Sequence, residues 1–209
     1  MPVMPRVWHL SISESNLTGS FLSKRPLPDV GVITVRQTPF DDDAMAHLGQ
    51  LPGLVRLELL ETNVTGKGLA QLKGAPLRLL RISGERLRNS DLQGLEGLMV
   101  SHLYLDCPNV NSHGFKHLMK VPLQYLLLSS PIRDAEIREL QTLKNLVGLT
   151  VYLSEVTSET LAELSRFPNT CALTIHIPHE YATKIPDWEQ RLPSARIYSY
   201  GENLRTGHH

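Results

Sequence analysis

His102, Asp106 and His176 are of the residue types that general acid–base catalysis and metal ligation draw on. His102 and Asp106 share the stretch HLYLD, whose alternating leucines have strand spacing. Four strand residues span about 13 Å, too far for one shared ion. His113 and His117, in SHGFKHL, are one helical turn apart and could touch a single ion, but two ligands do not make a centre. Cys107 follows Asp106, whose charge disfavours the thiolate, so it reads as a structural thiol. No phosphate-cradling glycine loop, dinucleotide fingerprint or Gly-x-Ser-x-Gly elbow occurs. No set of residues converges on a reacting atom, so no catalytic residue, metal site or cofactor is expected.

The tyrosines carry a different chemistry. Their rings offer broad apolar contact and their hydroxyls a polar tip, a combination common where proteins bind one another. Tyr104, Tyr125, Tyr152, Tyr198 and Tyr200 are five of the six in the chain, and each lies beside strand-spaced aliphatic residues. Which way they point depends on the elements that hold them.

Those elements repeat. In LPGLVRLELLETNVTGKGLAQLKG, residues 51–74, Leu57 and Leu59 have strand spacing while Leu69 and Leu72 have helix spacing. The same switch recurs every 23 or 24 residues. First-column aliphatics fall at Leu10, Ile33, Leu57, Leu80, Leu103, Leu126, Leu149, Leu173 and Ile197. A second column lies two residues on, and a third holds Leu17, Phe40, Val64, Leu87, Val110, Ile132 and Val156. Helix-spaced pairs follow, from Met45 with Leu48 to Leu161 with Leu164. A constant period of this length means a solenoid, each unit a short strand, a turn and a short helix running back. His176 is then three units from His102, about 14 Å across the sheet, which again forbids a shared ion.

The punctuation agrees. Pro5, Pro28, Pro52, Pro76, Pro122, Pro168 and Pro193 precede the first column by four or five residues and stop each helix. Thr18, Asp41, Thr65, Asn111 and Thr157 follow the third column as expected N-caps. In SSPIRDAEIREL the column comes one residue early, and Asp134 is the expected cap.

The form L-x-x-L-x-L, as in Leu54-Leu57-Leu59, followed by V-T-x-x-G-L-x-x-L, as in Val64-Thr65, Gly68-Leu69 and Leu72, resembles the leucine-rich repeats of bacterial and F-box-associated proteins. The resemblance covers roughly residues 7 to 200. It implies an α/β horseshoe with about nine parallel strands on the concave face and short helices on the convex face. It also implies a protein-interaction role. One departure is visible. Thr62, Glu85 and Pro108 stand where many such repeats place the Asn or Cys that ties neighbouring turns, so a looser coil is expected. Residues 1–30 read as an N-terminal cap unit, 31–176 as regular repeats, and 177–209 as a C-terminal cap and tail without a leucine-rich helix. Together they read as one complete small domain.

Strand residues between the core columns face the other way. Neighbouring units should therefore set His102 beside Tyr125, Tyr104 beside Leu127, and Tyr152 beside His176 beside Tyr200, with Tyr198 close by. Arg81 can stack on Tyr104, and with Arg56, Glu58 and nearby Arg36 it forms a cluster that reads as a self-satisfied salt-bridge network and can set a partner's orientation. This surface is the expected binding site for a protein or peptide.

Lys plus Arg and Asp plus Glu both number 21, so nothing demands nucleic acid or an acidic membrane as partner. The start carries no secretory leader pattern, and no apolar run is long enough for a membrane span. Two isolated cysteines suit a reducing compartment, so a cytoplasmic location is expected. A monomer is expected, with homodimerisation through ARIYSY, the last strand, as an alternative. The alternatives to a plain binding module are a regulator of a partner enzyme, presenting Arg36 or Arg81, and a structural unit that assembles through its end strands.

Overall fold

The computed structural model describes residues 8–201, except 17, 18, 20, 21, 23–26 and 28. The expectations placed on Pro5, Leu17, Thr18 and Pro28 lie outside the described residues. Nine strands form one parallel sheet in chain order: β1 (His9–Ser13), β2 (Val32–Arg36), β3 (Arg56–Leu60), β4 (Leu79–Ser83), β5 (His102–Asp106), β6 (Tyr125–Ile132), β7 (Gly148–Leu153), β8 (Ala172–Pro178) and β9 (Ala195–Tyr200). The helical segments are α1 (Asp42–Leu48), α2 (Gly66–Ala70), α3 (Ser112–Phe115), α4 (Asp134–Leu140), α5 (Ser158–Leu164) and α6 (Ile185–Arg191), with 3-10 turns at Asn89–Leu95, Lys116–Lys120 and His179–Lys184. Strand and helix alternate coil by coil, a solenoid-like arrangement.

Each coil is tied to the next at the start of its strand. The carbonyls of Trp8, Gly31, Val55, Arg78, Ser101 and Gln124 each accept two N–H groups from the following coil. The N–H groups of Val55 and Arg56, for example, both reach Gly31 O, at 2.9 and 3.1 Å. At the other end of the strand, Glu14, Gln37, Glu61 and Gly84 have φ of +47°, +49°, +54° and +138°. They occupy one position in four successive coils, and each N–H donates to the last residue of the next strand. The left-handed turn lets the chain leave the sheet without losing that bond.

The core lies between sheet and helices. First- and second-column residues from Ile33 to Ile175 are at most 3% exposed, and the helix-spaced pairs bury against them. Asp41, Thr65, Asn111 and Thr157 accept backbone N–H bonds as N-caps. Asp134 does not. Arg133 is the cap residue, five residues after Leu128 where Thr65 and Thr157 follow Leu59 and Val151 by six, so this helix starts one residue early. Asp134 instead accepts the hydroxyls of Thr160 and Thr157 in the next coil, at 2.6 and 3.2 Å.

That lateral bond belongs to a series. Asp42 accepts the N–H and hydroxyl of Thr65 at 2.7 and 2.6 Å. Asp91 accepts Gly66 N–H at 2.9 Å. Asn89 and Asn111 exchange two bonds of 2.9 Å, and Glu136 accepts Ser112 N–H at 3.1 Å. Every successive pair of coils from α1 to α5 is thus joined at its helix starts. These bonds join the coils where Thr62, Glu85 and Pro108 replace the Asn or Cys of the usual ladder, so the expected looseness has a counterweight the sequence did not show.

The helix of the last unit, α6, holds no leucine; its core residue is Trp188, with Tyr181 packed 6.1 Å away. The strand of this unit departs from its expectation by a shift: Ile197 lies opposite Ile175, and Ala195 lies opposite Leu173. A shift of two residues keeps every side chain on its face, so alternation alone cannot detect it.

On the helix side, Glu163 is 2% exposed and bonded by Gln141, Arg138 and Arg166. The Gln141 amide, then the two guanidiniums, hold its carboxyl below the ordinary 4.5. A carboxyl depressed by folding stabilises the fold above its unfolded pKa, and that contribution fades as pH falls through the folded value. Wild type should therefore exceed Glu163→Gln in urea midpoint at pH 7, with the gap closing at pH 3. A separate outcome concerns Gly68, where an added Cβ would lie 2.4 Å from Asp42 Oδ1 and 2.9 Å from Met45 Cγ. Gly68→Ala should cost about 1–3 kcal/mol in urea unfolding, because it pushes α2 off α1.

Candidate binding face of the sheet

The side chains between the core columns form the sheet face opposite the helices, called the open face here. Parallel pairing in register stacks equivalent residues of successive strands one above another. Three rows result. Arg56, Leu79, His102, Tyr125 and Gly148 run along the beginnings of the strands. Glu58, Arg81, Tyr104, Leu127 and Thr150 run along the middle. Tyr152, His176 and Tyr198 run along the strand ends.

The rings gather into two groups. In the first, His102 stacks on Tyr125 with centroids 4.5 Å apart and planes 20° apart. Ser101 Oγ lies 3.0 Å from His102 Nδ1 and fixes the imidazole. Tyr125 leans over Gly148, where a Cβ would meet its ring at 2.8 Å. Only glycine leaves the ring room to lie flat there. Tyr125 is 41% exposed despite the stack.

The second group lies at the strand ends of β7, β8 and β9. Tyr152 stacks on His176 at 4.2 Å and 5°, and His176 on Tyr198 at 5.5 Å and 25°. Burial lowers the His176 pKa below the ordinary 6.5, which favours the neutral imidazole within the stack. Tyr198 is 49% exposed. Four residues along the strands separate this group from Tyr125, so the tyrosines do not make one patch. Half-buried Tyr104, Leu127 and Thr150 fill the ground between.

Tyr200 differs from its expectation. Because β9 is shifted, Tyr198 and not Tyr200 stands beside His176. Tyr200 is 7% exposed, touches Tyr152 at a tilted 5.7 Å, and donates its hydroxyl to Leu153 O at 2.6 Å. Tyr200 is therefore a structural clasp across three strands rather than an open anchor.

Arg81 is in register with Tyr104, yet the cation–π contact found among the described residues is Lys184 over Tyr181. Glu58, 8% exposed, is held by Arg56 instead, and Thr34 joins it to His9. Beside them Trp8, His9, Val32, Thr34, Arg56 and Glu58 line a shallow depression of about 300 Å³. Trp8 belongs to the N-terminal cap unit, whose irregular sequence carries no period from which this depression could be read.

The other candidates for chemistry are engaged elsewhere. His117 Nδ1 lies 2.6 Å from Glu96 Oε1 and His113 Nδ1 3.2 Å from Asn111 Oδ1. Among the described residues no three His, Cys, Asp or Glu side chains gather to hold a metal ion, and no helix is long and apolar enough to cross a membrane. Cys107 is 3% exposed, and burial, then the Asp106 charge, push its thiol up to about 12. Burial raises Cys171 as well.

Both thiols should stay unmodified by a disulfide reagent at pH 8 in the folded protein, and both should titrate in 6 M guanidinium. Rapid labelling of either in the native state would contradict this burial. Comparison with known proteins finds no family model that matches the chain and no curated protein similar to it.

Proposed function

We propose that the chain is a cytoplasmic, non-catalytic leucine-rich repeat protein that holds a protein or peptide partner on the open face of its sheet. One observation carries the reading. Tyr125 and Tyr198 stay 41% and 49% exposed while each is stacked on a histidine. A ring fixed in place and still offered to solvent loses little freedom when a partner covers it, which is the economy of a binding anchor. Around them Tyr104, Leu127 and Tyr152 supply half-buried apolar ground. A sheet that used its tyrosines only as cover would bury them as it buries Tyr200. The repeat period and the V-T-x-x-G-L form support the family part of the reading.

The test is affinity capture from native cell extract, with wild type beside the double variant Tyr125→Ala/Tyr198→Ala. A protein held by wild type should bind the variant at least tenfold more weakly, the scale of two aromatic anchors. Equal capture by both forms would move attention from the open face to the helices and end strands.

A further inference from the structure

The open face carries charge as well as rings. Its outward strand positions hold four arginines, Arg36, Arg56, Arg81 and Arg196, against two acids, Glu58 and Asp106. The chain as a whole has a net charge of zero. Both acids are already engaged. Glu58 Oε1 accepts Arg56 Nε and Nη2 at 2.8 and 2.5 Å. Asp106 Oδ1 accepts the Ser130 hydroxyl at 3.1 Å.

Arg81 is left over. Register sets it between Glu58 on β3 and Tyr104 on β5. Glu58 has turned to Arg56, and Arg81 has no acidic partner among the described residues. Arg36 stands similarly, flanked by Ser13 and Leu60, with no acidic partner among the described residues. Both residues are half-buried. Each is a positive charge without a counter-charge among the described residues. The planar fork of an arginine matches a carboxylate in two parallel bonds. Arg36 and Arg81 are two strands apart and offset by two residues, about 12 Å, close to the separation of side chains three or four apart on an extended peptide.

We infer that the partner segment is an acidic peptide whose carboxylates pair with Arg81 and Arg36 while its apolar side chains rest on Tyr104, Leu127 and Tyr125. This rests on the reading of the open face as a docking surface. A nucleic acid fits less well, since tracking a phosphate backbone takes a continuous basic stripe and Glu58 interrupts this one.

The test is selection of a displayed library of random dodecapeptides on wild-type protein at 0.15 M salt. The enriched set should carry clearly more Asp and Glu than Lys and Arg. Synthetic copies of the leading peptides should bind Arg81→Gln at least tenfold more weakly in fluorescence anisotropy. Arg81→Lys should fall between the two, because it keeps the charge without the fork. Urea midpoints of both variants should match wild type. An enriched set without acidic excess, or acidic peptides that ignore Arg81→Gln, overturns the inference. If those same peptides are lost on Tyr125→Ala/Tyr198→Ala, the open face survives as the docking surface. If no peptide is enriched, both fall. Tighter binding of a single-stranded oligonucleotide, lost on Arg81→Gln, would replace the peptide with a nucleic acid.

Discussion

The backbone N–H groups that open each helix are the constraint on which the coil depends. A short helix leaves several donors without an internal acceptor, and in helices this short they are a large share of the whole. Here they are satisfied partly from within and partly from the neighbouring coil. Asp42 serves Thr65, Asp91 serves Gly66, Asn89 serves Asn111, Glu136 serves Ser112. A helix start is complete only when a neighbouring coil is in place, so stability resides in pairs of coils rather than in single ones. The glycines that let the helices approach make those bonds reachable, and the forked carbonyls at the strand starts hold the same spacing across the sheet.

That fixed spacing also makes the open face. Equivalent side chains fall one above another at the strand separation, close enough for rings to stack. The stacks His102–Tyr125 and Tyr152–His176–Tyr198 follow from ladder geometry once the residue types are in the rows. Gly148 adds a detail that the ladder alone does not supply, a gap into which one ring can lie. The charge pattern follows the same logic with a different outcome. Glu58 lies in register with Arg81 but closes with Arg56 on its own strand, and this choice leaves the middle of the face positive.

Much of this was legible in the sequence. The aliphatic columns identified every strand, because burial on one side of a sheet demands strict alternation and a constant repeat demands stacking. Four of the caps were legible for the same local reason. Other features were not. The shift of β9 preserves alternation, so Ile197 could be read into either of two registers, and with it Tyr198 and Tyr200 exchanged places beside His176. The turn after Leu128 is one residue shorter than its neighbours, so Arg133 caps α4 and Asp134 is left as a cross-link. The lateral bonds were invisible because they depend on which carboxylate of one coil meets which amide of the next. Residue types and periods do not state such a pairing. The division of the tyrosines into two groups was hidden too, since a list of outward positions does not show how far apart along the strands they stand.

Tyr200 has a mechanical consequence. Elsewhere among the described residues the ties run from one coil to the next, so a force applied to the two ends would release coils singly. Each would free some 23 residues and lengthen the chain by roughly 80 Å. The Tyr200 hydroxyl instead grips Leu153 O across the intervening strand. It binds the last three coils into one block. Under load, release of the last strand would have to break this bond as well as its ladder to β8.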